Sequence, residues 1–522
     1  MATTVTQPRK AASLLRDSVA LYGSTYIAVF FRFLQGFATA WLLGPALYGL
    51  RTVFGLIVDY EWFSHLGTFN AMHKEMPYHR GRGDHETAER IGNTVYGVNL
   101  AYALGLAALL LLAAAYASAF LDVERIYIDF LIFFAVFVVV SRIRNFYGAR
   151  LVVDKESVLL GKVRILHDAA GSTLAAAFIY LWSLRGLFVA LVLMNLISLA
   201  YIRARTTYRP RMILDFRLAW RLVEIGFPIM LISLVFILLR SVDKLLIASM
   251  MTREALGYYA AAAIIAAMLI DTTADVVSVL AFPRIMERLG QTGDRTQLRP
   301  YVEQPAVLIA YLAPLLIAAL FLGVHLPIRF LAPEYLPSID VARILVLGHF
   351  FFVVATTGLT VCVALNEQIR MVGLALLAVA VNAAANVIVI RAGWGIEGVA
   401  LGTGFSNLVF GGLVLWYAMR RLEVSPGDYF SFSALIYLPF VWTVLALVAI
   451  DRFVPVPPVG FAGDLALSLG RYLLFLVAYA PLLLWIRRHP AFVTLRNGIR
   501  GFLAKRLARR GADRSAADPA QP

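Results

Sequence analysis

Apolar residues run in blocks of about 18–25 along almost the whole chain, with polar residues gathered in short segments between them. As a helix, each block is long enough to cross roughly 30 Å of hydrocarbon. The pattern predicts about fourteen membrane spans: 17–43, 48–70, 94–120, 126–147, 163–183, 186–203, 222–250 and 256–283, then 303–325, 338–363, 371–391, 396–419, 433–451 and 467–486. The first span is too long for a signal-peptide core, lacks a small-residue cleavage site and precedes many others, so it reads as retained. The expected fold class is an all-α polytopic membrane protein.

Composition agrees, since 61% of the 522 residues are hydrophobic against the ordinary share of about 45–50%. The net charge of +15 would suit a nucleic-acid binder, but its placement says otherwise. About 35 of the Lys and Arg residues fall in segments on one side of the predicted spans, including Arg80, Arg82, Arg142, Arg144, Arg203, Arg205, Arg209, Arg211, Arg284 and Arg288. Arg125, Arg185, Arg253, Arg329, Arg391 and Arg452 face the other way. Positive residues stay inside, so both termini are expected in the cytoplasm, with membrane lipids rather than nucleic acid as surroundings. The single cysteine, Cys362, lies within a span and excludes an intrachain disulfide and a cysteine-rich metal site.

The chain also matches itself. Residues 21–50 lie over 229–258 without a gap, placing Arg32 on Arg240 and Gly49 on Gly257. At nearly the same shift Gly83-Asp84 matches Gly293-Asp294, and Val189-Ala190-Leu191 matches Val399-Ala400-Leu401. A duplication of six helices explains these markers. It predicts an N-terminal lobe over 1–205, a C-terminal lobe over 206–422 and two extra helices over 423–488. A basic cytoplasmic tail follows over 489–522, its end expected to be disordered. An even number of spans per repeat puts the symmetry axis along the membrane normal.

A charge at the bilayer centre costs about 2.5–3.5 kcal/mol on insertion scales, yet this chain keeps several. Arg32, Asp59, Arg240 and Asp271 fall near the middle of their spans, with Glu61, Asp243, Lys244 and Asp275 within about a turn. They imply a shared wet cavity. In one reading Arg32 and Arg240 clamp an anionic head group through charge-assisted bonds, with Lys244, Asp59 and Glu61 in the same substrate site. In the other the charges pair internally, Asp243 with Arg240 three residues before it and Asp59 or Glu61 with Arg32. Asp59 and Glu61 are two apart, about 200° around a helix, so at most one is central. Asp271 and Asp275 share a face, as a proton or sodium relay needs, and join Asp243 as the ion-coupling candidates. Partners for Arg240 or Lys244 would look the same.

Other residues have plainer roles. Arg51, Arg343 and Arg471 sit near span ends, where they are expected to snorkel to head groups. His349 reads as a packed, hydrogen-bonded histidine, and Gly402, Gly404, Gly411 and Gly412 as close-packing sites. Gly161-Lys162 lacks the spacing of a phosphate-cradling loop. The connections on the outer side are too short for a catalytic domain, so no enzyme, metal or cofactor is expected beyond coupling to a proton or sodium gradient. After Trp485 the apolar residues Phe492, Leu495, Ile499, Phe502, Leu503 and Leu507 alternate with Arg and Lys, as in an interfacial helix or a positive-inside anchor.

Several local patterns together resemble a known family. Leu43-Gly44-Pro45-Ala46-Leu47-Tyr48-Gly49-Leu50 looks like its turn after helix one, and Leu66-Gly67-Thr68 through Lys74-Glu75-Met76-Pro77 to Gly81-Arg82-Gly83-Asp84 like its next loop. Gly226-Phe227-Pro228, Ser241-Val242-Asp243-Lys244, Leu256-Gly257-Tyr258-Tyr259 and Asn382 through Gly395-Ile396-Glu397-Gly398-Val399-Ala400 extend the likeness over roughly 12–422. This is the polysaccharide-exporter, O-antigen flippase-like branch of the multidrug, oligosaccharidyl-lipid and polysaccharide (MOP) flippase superfamily. The two extra helices are similar to those of the lipid II flippase. The resemblance implies an isoprenoid diphosphate-linked oligosaccharide as substrate, alternating access as mechanism, and the polymerase and glycosyltransferases of the same glycan as partners. The alternative within the superfamily is a drug or cation antiporter, which should favour carboxylates over paired arginines.

Overall fold

A computed structural model describes residues 7–455, 460–493 and 496, leaving aside the side chains of 7–30, 32, 33, 268–281 and 283. Among the described residues every regular element is helical. Contacts divide the chain into two compact units, Met1–Ile264 and Ile265–Pro522.

The first unit opens with α1 (Gln7–Glu61), which carries two predicted spans and turns at Gly44. That residue has φ 69° and ψ 169°, a conformation essentially reserved for glycine, and Pro45 begins the second limb. A 3-10 turn (Trp62–His65) and two left-handed residues, Leu66 and Gly67, interrupt the chain before α2 (Thr68–Gly81). Next come α3 (His85–Phe120), α4 (Arg125–Val153) and α5 (Ser157–Arg205), the last turning at Trp182 and Ser183. Asp84 caps α3 by accepting the Thr87 N–H at 3.1 Å, which holds its carboxyl below the usual range.

The predicted seventh span is broken into α6 (Phe216–Leu239) and α7 (Val242–Met250), with Arg240 and Ser241 between them. The unit ends with the first turns of α8 (Arg253–Thr292). Residues 206–215 are held to α3. Asn93 Oδ1 accepts the Arg211 N–H at 2.9 Å, Arg90 pairs with Asp215 at 2.6 Å, and the Ile213 backbone lies where Gly97 would carry a Cβ. Arg150, over the Tyr208 ring at 4.0 Å, also pairs with Glu89 and Asp154.

The second unit contains α9 (Arg299–Gly323), α10 (His325–Leu331), α11 (Ser338–Ala364), α12 (Gln368–Arg391), α13 (Gly395–Arg421), α14 (Pro426–Phe453) and α15 (Phe461–Ile486). Its core is α11 against α13, and glycine sets the distance between them. A Cβ on Gly348 would fall 2.6 Å from the Gly404 Cα, and one on Gly411 would fall 2.7 Å from the Phe351 carbonyl oxygen. Gly402 is similarly tight against Asn386, whereas Gly412 faces open space. His349 is packed as expected, its Nδ1 2.7 Å from the Leu345 carbonyl oxygen.

Two arginines depart from the snorkelling expectation. Arg471 is 2% exposed and bonds Asp451 at 2.5 Å, while Arg343, 17% exposed, reaches Asp340 and the Phe321 carbonyl. Both lie near carboxylates on neighbouring helices, and a charge-assisted bond inside protein displaces the reach to head groups.

Eleven described helices are long and apolar enough to cross a membrane. The predicted fourteen reduce to these because α1 and α5 each contain two spans and because α8, with many side chains outside the description, is not among them. The chain is an all-α, multi-pass membrane protein.

Candidate functional site

Of the sequence-predicted residues, Arg32, Asp271 and Asp275 lie on helices but their side chains fall outside the described residues. The others gather around two of the first unit's interruptions, the turn that begins at Trp62 and the break at Arg240 and Ser241. Ser241 donates to the Ile237 carbonyl at 2.7 Å and therefore accepts from the Tyr60 hydroxyl at 2.6 Å, tying the break in α6–α7 to the second limb of α1. Asp243 is buried, accepting the Tyr259 hydroxyl at 2.5 Å and the Lys244 N–H at 2.8 Å. Asp59 is exposed, at the end of the second limb of α1. Arg240 is exposed at the end of α6. Broken helices leave backbone groups without their regular partners, and in membrane proteins such breaks line polar cavities.

Glu61, two residues beyond Asp59, turns to another face and meets Arg142 of α4. Arg142, one of the arginines expected on the cytoplasmic side, is 2% exposed, inside the helix packing. Its Nη2 donates to the Glu61 carboxylate, to the Glu61 carbonyl at 3.3 Å and to Ser64 Oγ at 2.6 Å. The Tyr102 ring lies 5.7 Å from the guanidinium carbon. The arginine thus ties the last residue of α1 to the 3-10 turn that follows it.

Immediately past that turn is a cleft that the sequence reading missed. It encloses about 320 Å³ and is lined by the break after α1 (Trp62, His65), α2 (Asn70, His73), α4 (Arg144, Asn145), α5 (Arg164) and α6 (Ser233). The described residues lining it include no carboxylate. Arg144 donates to Asn145 Oδ1 at 3.0 Å and keeps its Nε buried without a partner. His65 Nδ1 accepts the Gly67 N–H at 2.8 Å, leaving a neutral ring that carries its hydrogen on Nε2. Trp62, 39% exposed, stacks on Phe69 at 5.7 Å and meets His65 edge-on at 5.1 Å. Gly67 lets the break close on α6, since its Cβ would fall 2.2 Å from the Gly226 carbonyl carbon. Cations, amides and an open aromatic face together suit a polar anion with a flat apolar surface.

The opposite end of the same limb is closely packed. A Cβ on Gly49 would lie 1.8 Å from the Arg253 carbonyl oxygen, and one on Gly257 would lie 1.9 Å from that of Pro45. These are positions that the sequence shift equates. Beside them Arg253 forks onto Glu124 at 2.6 and 3.1 Å, holding that carboxyl below its usual range.

Comparison with known proteins now narrows the reading. Residues 81–340 match a family model described as polysaccharide biosynthesis protein. No curated protein sequence matches the chain. Among solved structures, "Lipid II flippase MurJ, inward closed conformation" is similar over 90% of this chain and 100% of that one, at 13% identity and TM-score 0.63. A multidrug-resistance MATE family transporter of the MOP superfamily is similar in its inward-facing form over 78% of this chain and 94% of that one, at 14% identity and TM-score 0.58. The chain has the fold of the MOP superfamily of membrane transporters. The outward-facing form of a MATE transporter is also similar, over 78% of this chain and 95% of that one, at 16% identity and TM-score 0.54. The MOP fold agrees with the resemblance seen in the sequence motifs, and the family model spans Arg142, Arg144, Asn145 and Arg164.

Proposed function

We propose that this chain is a flippase that moves an isoprenoid diphosphate-linked oligosaccharide from the cytoplasmic to the outer leaflet of a bacterial inner membrane, for cell-surface polysaccharide synthesis. Sugar hydroxyls and a diphosphate cannot cross hydrocarbon without partners for their polar groups. One observation carries the proposal: the stretch matching the polysaccharide-biosynthesis model supplies the Arg144, Asn145 and Arg164 wall of a cleft whose described lining contains no carboxylate. The Arg-rich ends of the helices face the cytoplasm in this proposal, so the cleft receives the head group from that side while the lipid tail stays in the bilayer. Rocking of the two repeats then changes the side of access. Arg32 and Arg240 serve as a second clamp on the head group, and Asp243, Asp271 and Asp275 couple transport to a proton or sodium gradient. The polymerase and glycosyltransferases of the same glycan are its expected partners.

The MATE transporters of the same fold support a second reading, a drug or cation antiporter. The arginines of the cleft oppose it, because they repel a cationic cargo. Gene disruption decides between the two. Loss of surface glycan with build-up of its lipid-linked precursor, reversed by the intact gene, is expected. Intact glycan with altered drug sensitivity would establish the antiporter instead.

A further inference from the structure

The cleft contains more than a positive wall. Trp62 leans one ring face on Phe69 and remains 39% exposed. A tryptophan directed at lipid needs no polar surroundings, but this one lines a cleft with Asn70, Asn145 and His65. Sugar rings present flat C–H faces that bury apolar area on an indole, while their hydroxyls need donors and acceptors at the rim. Arg144 and Arg164 add the fork geometry that suits phosphate oxygens.

The turn that carries Trp62 is held at unusual cost. Arg142 is 2% exposed, and its Nε and Nη1 are buried without partners. A buried ion pair is often no better for stability than an apolar pair of similar volume, so stability alone does not account for it. Its contacts bracket Trp62 and Phe63: the Glu61 carboxylate and carbonyl before them and Ser64 Oγ after them. Ser64 also donates to Glu61 at 3.0 Å, closing the bracket.

We infer that this cleft reads a glycosyl phosphate in two parts, a sugar ring stacked on Trp62 and its phosphate held by Arg144 and Arg164, with Arg142 and Glu61 acting as positioning residues for Trp62. The inference rests on the flippase reading and deepens it, naming the sugar next to the phosphate as the part of the head group that is recognised. Trp62 thereby becomes the specificity-determining residue.

The test is binding to the purified full chain in nanodiscs, with inorganic phosphate, glucose 1-phosphate, UDP-glucose and a glucosyl diphosphate on a short prenyl chain as probes. The wild type is expected to bind glucose 1-phosphate about tenfold tighter than inorganic phosphate, a gain of the size aromatic contacts provide. Trp62→Ala should erase that gain and leave phosphate binding unchanged, with Trp62→Tyr restoring most of it. Arg144→Gln with Arg164→Gln should weaken both ligands. Arg142→Lys, retaining a charge for Glu61, should lose the sugar gain but not phosphate binding, a split that a merely structural role would not produce. Equal binding of the two ligands by the wild type, or unchanged glucose 1-phosphate binding in Trp62→Ala, overturns the inference. UDP-glucose binding tighter than the prenyl-linked sugar overturns it as well, by assigning the cleft to a nucleotide sugar. Glycan export in cells carrying Trp62→Ala separates the two levels. Normal export with wild-type binding sinks the platform alone, whereas intact glycan after loss of the whole gene sinks the flippase reading.

Discussion

The second limb of α1 is built oppositely at its two ends. Around Pro45 and Gly49 it meets the start of α8 backbone to backbone, with no room for one added carbon. Around Trp62 it breaks, turns the Glu61 carbonyl to Arg142 and opens onto a cleft of arginines and amides. One end is shaped by the absence of side chains, the other by polar ones that a membrane span would ordinarily exclude. The contrast teaches that a single span can provide both a close backbone crossing and a polar cleft.

Overfilling the closely packed end should have the largest effect. Gly49→Val or Gly257→Val is expected to cost about 3 kcal/mol or more, seen as loss of monodisperse protein and early thermal unfolding. Gly105→Ala, where a Cβ meets nothing within 4 Å, should be neutral or gain up to about 1 kcal/mol. Equal tolerance at both places would break the comparison.

Next is Arg142→Ala, which strands the Glu61 carboxylate and should cost about 3–5 kcal/mol. Replacing Arg142 and Glu61 together by leucine should recover most of that stability without recovering the gain in binding that the sugar provides. If that gain returned with stability, the pair would be scaffold only. In the polar end, Arg144→Gln with Arg164→Gln should leave the protein folded and monodisperse while cutting glycan export to less than about a tenth, as expected from losing charge-assisted bonds to phosphate.

The smallest effect belongs to Glu124→Gln beside the close crossing. Arg253 lowers the folded-state pKa of Glu124, so its contribution is fully present above the ordinary glutamate value and is lost as pH falls through the lowered one. Melting temperatures of wild type and variant should run parallel from pH 7 to pH 5 and converge only in stronger acid.

Much of this architecture was legible in the sequence. Spans follow from run length, and Gly49 and Gly257 were marked by the internal match before their contact was visible. The placement of Asp59 and Glu61 on different faces follows from helical spacing alone, and the packed His349 from its being a lone histidine in an apolar helix. The cleft was not legible, because Arg142, Arg144 and Arg164 stand near span ends, where an inward-facing arginine and a topological one have the same local pattern. Periodicity gives no help when lipid and protein are equally apolar neighbours. The segment Glu61-Trp62-Phe63-Ser64-His65 held a signal, polar and aromatic residues in mid-span ahead of Leu66-Gly67, but its broken backbone depends on contacts with α4 and α6.

The most direct test of the account is transbilayer movement in proteoliposomes made with the purified chain and a fluorescent isoprenoid diphosphate-linked oligosaccharide. The account predicts that the chain exposes the sugar to a lectin on the far side, at a rate that returns to background in Arg144→Gln with Arg164→Gln. Movement no faster than in protein-free vesicles, or equally fast in the double variant, would contradict it.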